Sequence, residues 1–147
     1  MAIKKYFANA DNTITNAFRA SLTTRGTNAN MGESDILEAF SIYGQASSNS
    51  TELSRILINF PVDQMIADRS RGEIPPAGKA KFYLNLYNAP TNQTIPRQLS
   101  MSVLAVSRSW QEGTGLDMQE YKDVVAQGDI GSTWMSASST EAWTRMG

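Results

Sequence analysis

Lys79-Ala80-Lys81-Phe82-Tyr83-Leu84-Asn85-Leu86-Tyr87 alternates strictly, with Ala80, Phe82, Leu84 and Leu86 on one side and Lys79, Lys81, Tyr83, Asn85 and Tyr87 on the other. A period of two places successive side chains on opposite faces of an extended backbone, so this stretch predicts a half-buried strand. Working outward, Glu52–Phe60 reads as a second strand, with Ser54, Ile56, Ile58 and Phe60 facing one way and Leu57 partly covered on the other. Leu99–Trp110 reads as a third: Leu99, Met101 and Val103 share one side before Leu104, Val106 and Trp110 take the opposite one. Such a switch fits a strand buried on both faces or one broken by a bulge. Ile36–Tyr43, rich in Ile, Phe and Tyr, is a fourth.

The polar stretches Gly44–Thr51 and Asn88–Gln98 carry the Gly, Pro, Asn and Ser that break strands. After Pro61, the positions of Val62, Met65 and Ile66 have helical spacing and predict a short surface helix over Pro61–Arg69. Tyr121, Val124 and Val125 predict another helical turn within Leu116–Val125. The expected fold is therefore all-β: a jelly-roll β-sandwich of at least seven strands with one or two short surface helices. Ile56, Ile58, Phe60, Phe82, Leu84 and Leu86 are its expected core, and Lys79 and Lys81 lie outside. With no internal repeat or linker, residues 1–147 read as a single domain whose first nine residues form an N-terminal arm.

Composition narrows the chemistry. The chain has no cysteine and no histidine, so it lacks disulfides, the ligands of a structural zinc site and the commonest general base. Its 13 basic and 14 acidic residues give a formal net charge of -1, with no run of like charge to capture nucleic acid or an anionic membrane. No signal-peptide-like or membrane-spanning apolar stretch is present, which points to synthesis in a cytoplasm. The expected cofactor and metal content is none.

Three groups of residues carry a resemblance. The first is Ala10-Asp11-Asn12-Thr13-Ile14, then Asn30-Met31-Gly32-Glu33-Ser34 and Leu37-Glu38-Ala39. The second is Ser54-Arg55-Ile56-Leu57-Ile58-Asn59-Phe60, with Ile74-Pro75 and the Lys79–Tyr87 stretch behind it. The third is Ser107-Arg108-Ser109-Trp110-Gln111-Glu112-Gly113-Thr114-Gly115-Leu116-Asp117, with Ser132-Thr133-Trp134 downstream. Together they resemble the DNRLRE-type domain, a jelly roll similar to carbohydrate-binding modules and found in surface proteins and phage particles. Gly115-Leu116-Asp117-Met118 followed by Tyr121 and Asp123 is more similar to copies in virion proteins of marine tailed phages. The resemblance runs from Ala10 to Trp143 and implies a further strand where the chain reaches Trp143-Thr144-Arg145-Met146-Gly147.

Trp110-Gln111-Glu112-Gly113 admits two readings. One is a sugar-stacking indole beside a carboxylate that accepts from hydroxyl groups. The other, favoured by the size of the indole, has Trp110 capping the core, Gly113 and Gly115 shaping a tight turn, and Glu112 holding that turn through backbone donors. Glu112, Asp117, Glu120 and Asp123 lack the spacing of an EF-hand and read as an acidic solvated face. Nothing fixes two of them across a cleft as glycoside hydrolysis requires. Arg55 is expected in a cross-strand salt bridge. Tyr83 and Tyr87, in register on the polar face of their strand, are interface candidates. Ile3, Tyr6, Phe7, Trp134 and Trp143 join them as apolar residues near the termini.

The expected function is that of a structural, non-enzymatic virion protein of a tailed phage, in a decoration, neck or tail-associated position. Its expected partners are other virion proteins or copies of itself, with neither nucleic acid nor membrane. The alternative is a carbohydrate-binding module recognising a surface polysaccharide of the host through Trp110 and Glu112. A glycan-degrading enzyme has only carboxylates behind it.

Overall fold

The computed structural model describes residues 3–90, 97–116 and 131–145. Its regular elements are β1 (Ala10–Thr15), β2 (Ser41–Tyr43), β3 (Thr51–Asn59) and α1 (Val62–Ser70). The strands form one antiparallel sheet in the order β1-β3-β2, so the described residues are all-β in class with a single short helix. The chain divides into two compact units: Lys5–Pro61 with Arg108–Gly147, and Met1–Lys4 with Val62–Ser107.

In the first unit the central strand β3 is where the pattern over Glu52–Phe60 predicts it. β1 pairs with it from Ala10↔Asn59 to Thr15↔Ser54, and β2 from Ser41↔Leu53 to Tyr43↔Thr51. The expected burial is corrected, however. Ile56, Ile58 and Phe60 are only half-buried, and the sealed positions of β3 are Leu57 and Glu52. β1 and β2 flank β3 at its edges, so its faces are sealed only where other segments pack over them. The predicted strand over Ile36–Tyr43 is also shorter than expected. The Glu38 and Phe40 amides donate to the hydroxyls of Thr13 (3.1 Å) and Ser54 (2.8 Å), and hydroxyl acceptors take the place that strand carbonyls would fill.

The second unit holds α1, which follows Pro61 as its spacing predicts. Asp63 in the first turn and Arg69 in the last suit the helix dipole. Gly72, at φ 77°, then closes the end by donating to the Arg69 carbonyl at 3.0 Å. Asp68, fully buried, takes an ion pair from Lys4 at 2.5 Å and another from Arg71. Lys4 and Arg71 also both reach Glu73. Lys4 is consequently held above its ordinary pKa, chiefly by its hydrogen bond to Asp68, and Glu73 below its own, chiefly by its bond from Arg71.

The largest correction concerns Lys79–Tyr87 and Leu99–Trp110. Neither forms a strand among the described residues. Phe82 is 64% exposed and Leu84 and Leu86 are exposed too, against the expectation that all three lie in a core; Lys79 and Lys81 are outside as predicted. The alternation describes a backbone fit to pair on a half-buried surface, but periodicity carries no information on which neighbour supplies the pairing. Among the described residues there are consequently three strands, where at least seven were expected.

Candidate functional site

Four chain segments meet at two asparagines in the first unit. Asn12, on β1, donates its amide protons to the Ser132 carbonyl (2.9 Å) and hydroxyl (2.8 Å), and its oxygen accepts the Met31 amide at 2.8 Å. Asn30 donates to the carbonyls of Glu112 and Ser132, both at 2.7 Å. Its oxygen accepts the amides of Gly115 (2.9 Å) and Gly32 (3.0 Å). A primary amide offers two donors and two acceptor sites, and Asn30 uses all four. Both asparagines are fully buried, as is Ser132. The backbone adds Glu33 N–H to Gly115 O at 2.9 Å and Ser132 N–H to Gln111 O at 2.7 Å.

Glycine is required where these segments meet. A side chain on Gly115 would overlap the Asn30 carbonyl, and one on Gly131, itself at φ 93°, would overlap the Gly113 backbone. The meeting segments are 11–12, 30–33, 111–115 and 131–132. Composition could not single out Asn12, Asn30 or Ser132, because an asparagine in a loop reads as a turn former. Buried Glu52, whose carboxylate accepts the Phe18 amide at 2.8 Å, was equally hidden.

Glu112 is half-buried, and its carboxylate accepts the Asp11 amide of β1 at 2.7 Å. Glu112 thus accepts from a backbone donor, but that donor lies on β1 and not in the Gly113–Gly115 turn, where the sequence predicts it. The contact brings a second carboxylate close: burial, and then the charge of Glu112, push the Asp11 carboxyl above its ordinary value. Trp110 is half-buried, and its indole N–H makes no hydrogen bond among the described residues. Asp117, Glu120 and Asp123, with the predicted turn around Tyr121, Val124 and Val125, lie outside the described residues. Among those described, no three acidic side chains gather as a metal site would require, and no helix is long and apolar enough to cross a membrane.

The remaining candidates separate into held and exposed residues. Trp143 is half-buried and donates its indole N–H to the Thr133 carbonyl at 2.7 Å. Trp134, also half-buried, carries the Arg55 guanidinium 4.9 Å above its ring, so Arg55 engages an aromatic face where a cross-strand salt bridge was expected. Tyr6 is half-buried, whereas Ile3 and Phe7 are exposed. Tyr83 and Tyr87 are 78% and 92% exposed. They belong to a run with a second peculiarity: among the described residues, the backbone of residues 80–90 and 97–107 makes no hydrogen bond. No family model matches the chain, and neither a curated protein nor a solved structure is significantly similar to it.

Proposed function

We propose that the chain is a structural, non-enzymatic protein of a tailed-phage particle that works through contacts with other virion proteins or with copies of itself. The observation that carries this reading is the uncovered apolar stretch. Phe82, Leu84, Leu86, Leu99, Met101, Val103, Leu104 and Val106 are all exposed, on backbone without hydrogen bonds. An exposed apolar surface of this extent is the mark of an interaction site, since water-facing monomers rarely keep one. The phage setting rests on the DNRLRE resemblance of the sequence. A jelly-roll sandwich is the corresponding architecture, with β1-β3-β2 as part of one sheet. The virion, reached after synthesis in the host cytoplasm, is the corresponding location. No catalytic group or cofactor has a part in it.

The test is to locate the subunit in purified particles by mass spectrometry and by mapping it to head, neck or tail. Stoichiometric incorporation is the expected result; absence from the particle overturns the proposal. So does reproducible glycosidase, esterase or nuclease turnover that Glu112→Gln abolishes.

A second reading keeps one observation in its favour. The unbonded, half-buried indole of Trp110 beside Glu112 is a fit for a sugar ring and its hydroxyls. A carbohydrate-binding module would retain specific polysaccharides on a glycan array and lose them with Trp110→Ala.

A further inference from the structure

We infer that Lys79–Tyr87 pairs antiparallel with the same stretch of a second copy, about a two-fold axis through Tyr83. Three observations lead there. The first is the backbone: residues 80–87 are extended in sequence character, outside any helix or sheet, and make no hydrogen bond. A row of free N–H and C=O groups flanked by alternating apolar side chains is the template that strand addition uses.

The second is self-complementarity. An antiparallel register centred on Tyr83 sets Lys79 opposite Tyr87, Ala80 opposite Leu86, Lys81 opposite Asn85, Phe82 opposite Leu84, and Tyr83 opposite itself. Every apolar residue meets an apolar residue on one face. On the other, each lysine meets an uncharged partner, and Lys79 lies beside an aromatic ring. Directly opposed like charges destabilise a strand pair, and this register has none. The parallel in-register alternative stacks Lys79 on Lys79 and Lys81 on Lys81. Lysines in the first half of the stretch therefore select the antiparallel, two-fold arrangement, the symmetry most dimers adopt.

The third is exposure. Phe82, Tyr83 and Tyr87 are 64%, 78% and 92% exposed, so neither face of the stretch is covered by the chain's own packing. A second copy suits this surface because the stretch supplies its own complement. A strand from a different virion protein is the competing occupant. The inference deepens the assembly reading but is tested on the isolated chain, so its failure and that of particle incorporation are separate results.

The native chain has no cysteine, which makes single-cysteine crosslinking unambiguous. Opposed residues in an antiparallel pair have Cα atoms about 4.5–5.5 Å apart, within the disulfide range. Under mild oxidation Tyr83→Cys should give a covalent dimer. Lys79→Cys and Tyr87→Cys should each stay uncrosslinked alone and crosslink when mixed. In sedimentation equilibrium the native chain should dimerise reversibly, and Tyr83→Lys, which sets like charges on the axis, should weaken the dimer at least tenfold. A native chain that stays monomeric up to about 100 µM, far above typical interface Kd values, overturns the inference. Equal crosslinking by all three variants, or pairing of this stretch only with another particle protein, overturns it as well.

Discussion

The neighbourhood of Asn30 and the run from residue 80 to residue 107 invert the usual division of labour between polar and apolar residues. In the unit that holds Asn30 the largest wholly buried side chains are polar and hydrogen-bonded: Asn12, Asn30, Thr13, Thr15, Glu52 and Ser132. Along residues 80–90 and 97–107 the large apolar side chains are exposed, and the backbone makes no hydrogen bond. Among the described residues, the buried apolar side chains of the Asn30 unit are Ile14, Ala17, Ala29, Met31, Leu57 and Ala137. One region thus stands by directional bonds that specify a unique geometry, which a satisfied buried network does well. The other leaves the chain's strand-forming apolar residues exposed, and the proposed assembly would cover them.

The strongest way to break that comparison is to open the knot. Asn30→Ala removes both donors and both acceptors, stranding the Gly115 and Gly32 amides and the Glu112 carbonyl. Each buried group left unpaired costs about 1–3 kcal/mol, so a loss of about 3 kcal/mol or more in chemical denaturation is expected. A loss below about 1 kcal/mol would mean that water replaces the amide readily and the knot is not a buried network at all.

That dependence on one amide explains what was legible in the sequence and what was not. Thr51–Asn59 and Val62–Ser70 were readable because period-two and period-3.6 patterns encode which side of an element is apolar. The knot was unreadable as chemistry: Asn12, Asn30 and Ser132 lie up to 120 residues apart, and no local spacing links them. Lys79–Tyr87 was misread in the opposite sense. Its pattern is that of a strand, but pairing is a property of two segments, and only one of them is written there.

A smaller effect tests the electrostatics at the rim of the knot. The Asp11 carboxyl is raised above its ordinary value of 3.8 by burial first and Glu112 second. A carboxyl raised on folding binds its proton more tightly in the folded chain. Its contribution is therefore most favourable below the unfolded value and is lost as pH rises through the folded one. Asp11→Asn should accordingly raise the thermal midpoint at pH 7, and the gain should shrink as the native protein is acidified through that range. Glu112 would keep accepting the backbone amide of residue 11 in the variant, since that donor is not part of the side chain. A midpoint that falls at pH 7 would show the Asp11 carboxylate to be a partner to some donor, and the rim to be as bonded as its centre.

The smallest effect is the sharpest for the other region. Leu104 is 83% exposed and lies outside the stretch assigned to the two-fold pairing. If residues 97–107 contribute no packing within the chain, Leu104→Ser removes apolar surface that water already touches. Substitutions of exposed side chains ordinarily change stability by no more than about 0.5 kcal/mol. The expected result, measured by urea denaturation at a concentration where the native chain is monomeric, is an unchanged midpoint within that margin and an unchanged slope. The slope matters because it scales with the surface exposed on unfolding, and a side chain already in water adds nothing to it. Solubility should rise at the same time, since an exposed leucine feeds non-specific association. A destabilisation of about 2 kcal/mol would place Leu104 in a packed interior, in the range for burying a leucine side chain. The chain would then have a second apolar core of its own, and the division between a bonded region and an unpartnered one would dissolve.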